Sequence, residues 1–490
     1  MASPQTANAI AAGDALVTDE GGESPPLERL SGWGGPLAGD CRVLRPSTEA
    51  GILDAFEIAR RRGWSIGLRG AGQSYGDASL ATGNLSLDVS RMRRVLEWDP
   101  VAGRIRVEPG VTIRELWQFV VEDGWWPPVV PGTSHASIGG CAAANIHGKN
   151  AWKVGPLGEH VEAIEVLFPN GDRRVLRRDA DGDLFLAVIG GFGLLGVIVS
   201  ITLRLKRVHS GLLDVTPLVA RDLSEMIDLF VARLDDAAYL VGWVDVLARG
   251  RALGRGLVHE ARHLAPGVDA EPQRTLRRDF QELPDTILGV VPKSKLWIPM
   301  RALFHPLGMR AVNAVKYWSA HLHAGKAFRQ PHAEFQFLLD YVPDWKRAYG
   351  RQGMIQYQSF VPERTAEQTF RAKIELSHRR GLKPFLGVFK RHRRDDFLLT
   401  HGVDGYSLAL EFQVTQANRR KLWDLAVELD DLVVGAGGRF YLAKDSTLRP
   451  RSFRSFMGED RIERFLAWKR ELDPENRLQT DLFRRLFLAT

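Results

Sequence analysis

The stretch Arg69-Gly70-Ala71-Gly72-Gln73-Ser74-Tyr75-Gly76-Asp77 directly follows the apolar, strand-like residues 64–68. Three glycines in seven residues predict a loop whose backbone approaches a ligand closely, and successive N–H groups in such a loop converge on an anion. A P-loop would end in Gly-Lys-Ser/Thr, and a Rossmann fingerprint would open a helix where Tyr75-Gly76-Asp77 interrupts the helical pattern. The stretch therefore indicates a different phosphate site, with an ordinary turn as the alternative.

Two further tracts of small residues strengthen the phosphate interpretation. Pro131-Gly132-Thr133 leads into residues 138–150, and residues 189–198 contain four more glycines. Small side chains in quantity leave room for a long group that is not protein, such as a dinucleotide laid across several loops. Close strand packing in a glycine-rich domain is the alternative explanation.

Length and composition bound the class of protein. The 490 residues allow two or three domains, and fractions of 44% hydrophobic and 26% charged residues are typical of a soluble globular protein. Residues 1–27 lack the basic start and apolar core of a signal peptide, so we expect a disordered tail. Cys41 and Cys141 form no disulfide framework, which fits a reducing cytosol, and the histidines show no ligand spacing that would predict a metal site.

The net charge of +7 is concentrated in residues 286–333, which hold seven Lys/Arg and no Asp or Glu. Aromatic and aliphatic residues alternate with these cations, a mixture that suits an anionic lipid surface. No nucleic-acid motif is present, so we expect no nucleic-acid partner. A solvated basic face is the alternative. The seven cations are Lys293, Lys295, Arg301, Arg310, Lys316, Lys326 and Arg329.

Local patterns predict an α+β organisation. Residues 112–122 predict an amphipathic helix with Thr112 as N-cap, and residues 163–176 predict a hairpin that turns at Asn170-Gly171. Strand-like runs return at 354–361, 385–389 and 407–414. The predicted division of the chain is a tail at 1–27, a first domain at 28–210, a second domain at 211–438, and a return to the first domain at 439–490.

With these residues in hand, the chain resembles the flavin-dependent oxidases of the vanillyl-alcohol-oxidase type over roughly residues 30–490. The resemblance implies an α+β, two-domain (PCMH-type) FAD-binding fold, in which a substrate-binding domain is inserted into the FAD-binding domain. It rests on Arg69-Gly70-x-Gly72-x-Ser74-Tyr75-Gly76-Asp77, Ile146-His147-Gly148-Lys149-Asn150, Tyr349-Gly350 with Gln356-Tyr357-Gln358, Val388-Phe389-Lys390, Tyr441-x-Ala443-Lys444-Asp445-Ser446, and Asp473-Pro474.

The resemblance implies FAD held without a covalent bond, with its pyrophosphate on the first glycine loop. His147 is then an active-site residue and not a covalent tether, although some relatives use a histidine for that bond. The cofactor-binding residues implied are Arg69, Gly70, Ala71, Gly72, Gln73, Ser74, Gly132, Thr133, Gly140, Ala143, Ala144, Gly148, Ile198 and Tyr441.

The implied activity is that of an FAD-dependent oxidoreductase acting on CH–OH groups. It would oxidise the 2′-hydroxyl of a polyprenyl-phosphate sugar to a 2-keto sugar, the first half of an epimerisation in the synthesis of arabinose-containing cell wall polysaccharide. The residues implied are Lys444, His147 and Tyr75 for catalysis, and Trp243, Gln356, Gln358 and Lys390 for substrate binding.

The residue types fit these roles. Glutamines at i and i+2 point to one face of a strand and can bind sugar hydroxyls, and a lysine can meet a phosphodiester. Taken singly, Gln356 and Gln358 also fit a solvent face, Lys390 a run of surface charge, and Trp243 a core position. Three departures from the family concern the pocket: Phe192 stands where relatives have asparagine, and Ser407 and Ala409 replace an asparagine and a cysteine.

Two roles remain open for Lys444. Desolvation beside an apolar flavin can lower its pKa from ~10.4 to ~7, at a cost of about 4.6 kcal/mol to the charged form, so that it removes the hydroxyl proton. Alternatively it stays charged and stabilises a developing alkoxide or the reduced flavin.

An epimerisation also requires a partner. The chain has no second cofactor motif, so we expect a separate NAD(P)H-dependent short-chain reductase. We expect a cytoplasmic enzyme attached peripherally to the inner face of an anionic membrane. The alternatives are an oxidase of a soluble sugar, alditol or aldonolactone, and a non-catalytic flavin- or lipid-binding protein.

Overall fold

The structure is a computed structural model that describes residues 24–287 and 291–488. Most of the predicted tail lies outside the described residues, and the first strand, Leu27–Ser31, begins at its end. Helices and strands are mixed along the described part of the chain, which confirms the α+β class.

Two small sheets come from the N-terminal part of the chain. The first carries the glycine loop, which leaves the strand Ile66–Arg69 as predicted. In spatial order its strands are Leu27–Ser31, Ala38–Leu44, Leu85–Asp88 and Ile66–Arg69. The second sheet consists of Val95–Asp99, Arg104–Val107, Val197–Arg204, Val161–Leu167 and Arg173–Arg177, and Trp125–Trp126 pairs separately with Lys206–Arg207.

Local sequence signals explain two of these elements. The helix Ile113–Val120 begins with a capping box, in which Thr112 and Glu115 satisfy each other's backbone N–H groups. The strands Val161–Leu167 and Arg173–Arg177 form the predicted hairpin, and Gly171 takes the positive φ of 91° that its turn requires. Both predictions are confirmed.

A third, eight-stranded sheet is built almost entirely from residues 212–413. The helices Glu363–Arg379 and Arg419–Gly435 pack on one of its faces. On the opposite face the helix Pro306–Ala320 covers the strands Leu212–Ala220 and Gly256–His263, and the strands beyond them are left to line a site. In spatial order its strands are Phe328–Pro331, Leu212–Ala220, Gly256–His263, Tyr239–Val244, Leu386–His392, Gly405–Gln413, Met354–Pro362 and Arg439–Phe440, and a short ladder joins Thr286–Ile287 to Val291–Pro292.

The C-terminal residues return to the N-terminal sheet. Leu478 bridges to Ile66 and lies fully buried among the side chains of that sheet. Lys469 and Asp473 form a buried ion pair at 2.8 Å, and Lys469 also donates to the carbonyl of Leu194. These contacts attach the last helices to the part of the chain that carries the glycine tracts.

Along the chain, the remaining helices alternate with the strands or follow the last strand. Within the described ranges, every helix falls short of the length and hydropathy that a membrane span requires. The helices not yet mentioned are Glu49–Arg62, Ile138–Ala143, Ala151–Val154, Gly182–Val188, Leu223–Val231, Pro272–Thr275, Arg278–Gln281, Trp297–Leu303, His332–Gln336, Pro450–Met457, Glu459–Leu472 and Asp481–Phe483.

Candidate active site

A cavity of about 1820 Å³, counted together with its open mouth, lies between the small-residue tracts and the eight-stranded sheet, on the face opposite the helices Glu363–Arg379 and Arg419–Gly435. The glycine loop, the helix Ile138–Ala143 and the third small-residue tract, residues 189–198, form one wall. The opposite wall carries side chains from the strands Met354–Pro362, Leu386–His392 and Gly405–Gln413. The cavity thus joins the N-terminal and central parts of the chain.

The glycine loop presents free backbone donors to this cavity. Gly72 has a φ of 66°, and a Cβ at this position would also collide with the guanidinium of Arg69. Among the described residues, none accepts a hydrogen bond from the N–H groups of Gly72, Gln73 or Ser74. Three consecutive free donors beside an arginine form a site for an anion.

The loop also touches the second tract. The N–H of Ala71 donates to Ser137 Oγ at 3.2 Å. A Cβ at Gly70 would collide with that hydroxyl and would lie 4.0 Å from the backbone nitrogen of Gly140. Glycine at position 70 therefore allows the two tracts to face each other across the cavity wall.

The second and third tracts are joined by backbone hydrogen bonds. Gly190 donates to the carbonyl of Ala142, and Phe192 donates to that of Ala143. Phe192 lines the cavity with a φ of 53°, in the left-handed region that asparagine tolerates better than phenylalanine. The departure from asparagine at this position therefore places a strained aromatic residue in the cavity wall.

An ion-pair cluster holds the loop against the C-terminal part of the chain. The guanidinium of Arg485 binds both oxygens of Asp77 and one oxygen of Asp445, each at 2.8 Å. The N–H of Tyr75 donates to the carbonyl of Ala443 at 2.9 Å. The segment that carries Lys444 is thereby attached to the glycine loop.

All but two of the predicted site residues line the cavity. They come from six separate stretches of sequence that the fold brings together. The lining residues are Arg69, Gly70, Ala71, Gly72, Gln73, Ser74, Tyr75, Gly132, Thr133, Gly140, Ala143, Ala144, His147, Ile198, Gln356, Gln358, Lys390, Tyr441 and Lys444.

Gly148 and Trp243 do not line the cavity. A Cβ at Gly148 would collide with the side chain of Asn150, so this glycine permits local packing. Trp243 pairs in register with the cavity residue Val388, but its ring is covered by Lys316, whose Nζ lies 4.4 Å from the ring centroid. Its predicted contact with substrate stays a prediction.

The register of the paired strands determines which side chains of the sheet wall are neighbours. Gln356 lies opposite Glu411, Gln358 opposite Ala409, and Lys390 opposite Ser407. Since alternate residues of a strand share a face, these side chains point into the cavity, whereas Ser359 points to the helices behind the sheet. The two predicted glutamines are thus on the cavity face and not on a solvent face.

Lys444 lies at the centre of the charged groups. Its Nζ is 3.7 Å from the centroid of the Tyr75 ring. The pKa of Lys444 is lowered to about 7, chiefly by desolvation; the carboxylate of Glu411 opposes this decrease and the charge of Lys390 adds to it. Burial also lowers the pKa of Lys390, to about 8. An appreciable fraction of Lys444 is therefore neutral near pH 7, as a proton acceptor requires.

His147 is buried at the cavity wall beside Gln358. The two side-chain nitrogens, Nε2 of each residue, are 3.1 Å apart, and among the described residues nothing binds His147 Nδ1. Burial, together with the charge of Lys390, holds the pKa of His147 well below its usual range. The imidazole is therefore neutral, and its orphaned nitrogen is available to a bound group.

Sequence reasoning missed Glu411, Lys149 and the apolar part of the wall. Glu411 is the only charged residue of its strand, a signal that the sequence contains but that belongs to no known motif. Lys149 Nζ donates to the carbonyls of Phe335 and Gln336, at 2.9 and 2.6 Å. The apolar lining residues that sequence reasoning missed include Trp33, Val241, Leu338, Leu339, Leu386 and Val388.

These residues fit FAD. The free N–H groups of Gly72, Gln73 and Ser74 beside Arg69 suit a pyrophosphate, and the tracts of small residues leave room for a planar ring system. The orphaned His147 Nδ1 supplies a further polar contact. The described residues contain no group of three or more His, Cys, Asp or Glu side chains arranged to hold a metal ion.

Comparison with known proteins agrees with this assignment. The family described as "FAD binding domain" matches residues 42–177. Decaprenylphosphoryl-beta-D-ribose oxidase of Mycolicibacterium smegmatis is 29% identical over 474 residues, which cover 94% of this chain and 98% of the relative. A protein of Streptomyces coelicolor, described as an uncharacterized protein in the mprA 5' region, is 32% identical over 387 residues, 77% of this chain and 100% of the relative.

A further relative matches over a shorter range. The mitochondrial cytochrome-type D-lactate dehydrogenase of Arabidopsis thaliana is 35% identical over 144 residues, 28% of this chain and 25% of the relative. The long matches and the cofactor family agree with the free donors and small-residue tracts of the cavity. The chain belongs to the FAD-dependent oxidoreductases of the vanillyl-alcohol-oxidase type, with FAD as its cofactor.

Proposed function

We propose that this enzyme oxidises the 2′-hydroxyl of a polyprenyl-phosphate sugar to the 2-keto sugar, the first half of an epimerisation. The observation that carries the proposal is the cavity lining, where Gln356, Gln358 and Lys390 of the sheet wall, together with Lys444, lie beside apolar side chains. Amides bind hydroxyls, a lysine binds a phosphodiester, and apolar residues accept a hydrocarbon chain. The similarity to decaprenylphosphoryl-beta-D-ribose oxidase supports the same substrate class.

The proposal assigns residues 211–438 to a substrate-binding domain inserted between two parts of an FAD-binding domain, 28–210 and 439–490. The eight-stranded sheet supports this division, since nearly all of its strands come from the proposed insertion. The return of Leu478 to the first sheet supports the assignment of the C-terminal part.

The glycine loop and the small-residue tracts would hold FAD, which would supply the oxidising power to accept hydride from the substrate C–H bond. The residues of the chain handle the remaining proton. Neutral Lys444 accepts it from the 2′-hydroxyl, while Gln356 and Gln358 orient the sugar and Lys390 binds the phosphodiester. Tyr75 holds the Lys444 ammonium over its ring, 3.7 Å from the ring centroid.

An anaerobic substrate screen tests the proposal. Polyprenyl-phosphoryl ribose should bleach the flavin absorbance of the holoenzyme, whereas free ribose, alditols and aldonolactones should not. Bleaching by the soluble compounds alone would establish an oxidase of soluble sugars. A flavin that no compound in either set reduces would favour a non-catalytic flavin- or lipid-binding protein.

Completion of the epimerisation requires that a keto sugar be reduced again. We propose a separate NAD(P)H-dependent short-chain reductase for this step, since the sequence offers no second cofactor motif beside the one assigned to FAD. Adding such a reductase and NADH to the oxidised product should return a sugar with inverted configuration at C2.

We expect the purified protein to be yellow and to release intact FAD when it is denatured by acid or heat. The free N–H groups of the glycine loop would hold the pyrophosphate by hydrogen bonds, and we expect no covalent bond between the chain and the cofactor. Absorbance of the supernatant after precipitation measures the release. Flavin that stays with the precipitate would identify His147 as a covalent tether, and a colourless chain that FAD cannot reconstitute would contradict the assignment of the cavity.

We also propose that residues 286–333 attach the enzyme to an anionic membrane. The helix Pro306–Ala320 exposes an apolar stripe, with Leu307, Val315 and Trp318 between 62% and 75% exposed. The other side of this region packs at the cavity, where Phe304 and Met309 contact the cluster that contains Tyr75. A lipid substrate taken from the membrane would therefore enter close to the site.

Not all seven cations of the segment are available for this attachment. Arg329 pairs with Asp214 at 2.9 Å, Lys293 is buried with its Nζ 3.6 Å from the Tyr341 ring centroid, and Lys316 covers Trp243. The structure thus corrects the expectation of seven uncompensated charges. The four exposed cations without an ion pair among the described residues are Lys295, Arg301, Arg310 and Lys326.

Vesicle co-sedimentation should show stronger binding to anionic than to neutral lipid, decreasing with salt. Each Lys or Arg near such a surface contributes about 1 kcal/mol, so changing the four exposed cations to glutamine should abolish most of the preference. A matched control changes four exposed cations on other helices, Arg364, Arg420, Lys421 and Arg451, and should leave binding unchanged. Equal loss in both variants, or equal binding to both lipids, would reduce the segment to an ordinary basic surface.

A further inference from the structure

Glu411 is the sole carboxylate among the described residues that line the cavity. The charged groups around it are cationic: Arg69, Lys149, Lys390 and Lys444. FAD and a phosphorylated substrate are both anions, so a buried carboxylate in their cavity opposes binding by charge alone. Its presence therefore requires another role, and the proposed function assigns it none.

Two hydrogen bonds fix the orientation of this carboxylate. Tyr349 donates its hydroxyl to Oε2 at 2.9 Å, and Gln356 donates Nε2 to Oε1 at 2.5 Å. Gln356 and Glu411 lie directly opposite each other on paired strands. With its Nε2 held by Glu411, Gln356 has its amide oxygen left to accept a hydrogen bond from a sugar hydroxyl.

The charge of Glu411 also acts on Lys444. The titratable groups that face Lys444 are Glu411 from the strand Gly405–Gln413, Lys390 from the strand Leu386–His392, Tyr75 from the glycine loop and His147 from the second tract. Glu411 raises the pKa of Lys444 and Lys390 lowers it, while desolvation has the largest effect. Two opposite charges on neighbouring strands therefore act on the same ammonium.

We propose that Glu411 is a positioning residue, which orients Gln356 toward the substrate and supplies the negative charge that balances Lys390 around Lys444. The inference rests on the proposed role of Lys444. In the reaction the hydroxyl proton passes to the neutral Nζ of Lys444. Burial raises the pKa of Glu411, while the hydrogen bonds from Tyr349 and Gln356 and the charge of Lys444 oppose that rise and favour the carboxylate. Its negative charge favours the ammonium that forms.

The pH dependence of flavin bleaching tests this inference, measured anaerobically with polyprenyl-phosphoryl ribose from pH 5.5 to 9. In the wild type the rate should rise with pH to a plateau, with a midpoint near the pKa of Lys444, because only the neutral amine accepts the proton. Glu411→Gln should lower the midpoint by about one unit, since an opposite charge nearby favours the protonated form. Lys390→Gln should raise the midpoint, because it removes a like charge.

Glu411→Asp draws the carboxylate back by one methylene, so a smaller shift and a raised KM are expected. If Glu411→Gln does not retain FAD, the midpoint of Glu411→Asp decides whether Glu411 acts on Lys444. Asp430→Asn is the matched control: Asp430 is also buried and also accepts a tyrosine hydroxyl, from Tyr357 at 2.8 Å, but does not line the cavity. Its midpoint should be that of the wild type.

An unshifted midpoint in both Glu411→Gln and Glu411→Asp would overturn the inference and leave Glu411 with a structural role only. A failure of the proposed function is distinguishable from this result. If Lys444→Ala keeps both the rate and the pH-dependent rise, Lys444 is not the proton acceptor, whatever Glu411 does.

Discussion

Replacing Lys444 with alanine is expected to lower the rate of flavin reduction by substrate by about 10²-fold or more, while FAD stays bound. The physical reason is its position. Lys444 Nζ lies over the ring of Tyr75, within the cavity, and is not one of the donors, the backbone N–H groups of Gly72, Gln73 and Ser74, that would hold the pyrophosphate. Anaerobic stopped-flow bleaching measures the rate, and the visible spectrum measures bound FAD.

Two further variants show whether Lys444 acts as a base or stabilises charge, and whether the effect is specific to this lysine. Lys444→Arg keeps the charge but has no accessible neutral form, so it should be as slow as alanine if Lys444 is a base and faster if Lys444 stabilises charge. Lys373→Met is the matched control. Burial also lowers the pKa of Lys373 to about 7, but its Nζ binds Ser359 and Leu408 on the other face of the sheet. Its rate per bound FAD should match the wild type.

A near-normal rate in Lys444→Ala would mean that the lysine is structural. His147 would then be the next candidate, because it is neutral, buried and carries an orphaned nitrogen at the cavity wall.

The second large effect is expected for Arg485→Met, which should lower the free energy of unfolding by about 3–5 kcal/mol and weaken FAD binding. Methionine retains the apolar volume but leaves the carboxylates of Asp77 and Asp445 buried without their cation. These residues flank the glycine loop and the Lys444 segment, so their mutual repulsion acts on both sides of the cofactor site. Denaturant unfolding and FAD titration of the apoprotein measure the two effects.

A surface pair provides the control for Arg485. Arg380 binds Glu428 through two nitrogens but is exposed, so Arg380→Met should change stability little. Arg485→Lys should fall between the wild type and methionine, because it keeps the charge and loses the bidentate geometry. Equal stability of Arg485→Met and the wild type would show that the cluster does not hold the site together.

Residue type and spacing were sufficient to predict the local structure of several segments. The capping box at Thr112 and the turn at Gly171 depend on neighbouring residues only, which is why both are confirmed. The glycine loop after a strand was predictable for the same reason. Positive φ and free N–H groups are properties of the loop itself.

The basic segment shows where composition was insufficient. Its seven cations and lack of acids are plain in the sequence, but exposure depends on which neighbours cover each side chain. Asp214, Tyr341 and Trp243, all far from their partners in sequence, contact three of the seven. Only the folded structure separates these from the four exposed cations.

The sequence by itself indicated the class of cofactor: the glycine loop suits a phosphate, and the family resemblance carried by several separate motifs implies FAD. It also indicated Lys444 and the paired glutamines as chemically suitable residues. Only the tertiary structure decided their environment. Strand register places Glu411 opposite Gln356, and burial among residues from four separate stretches sets the pKa of Lys444. Desolvation and charge depend on distances between residues remote in sequence, so no local pattern contains them.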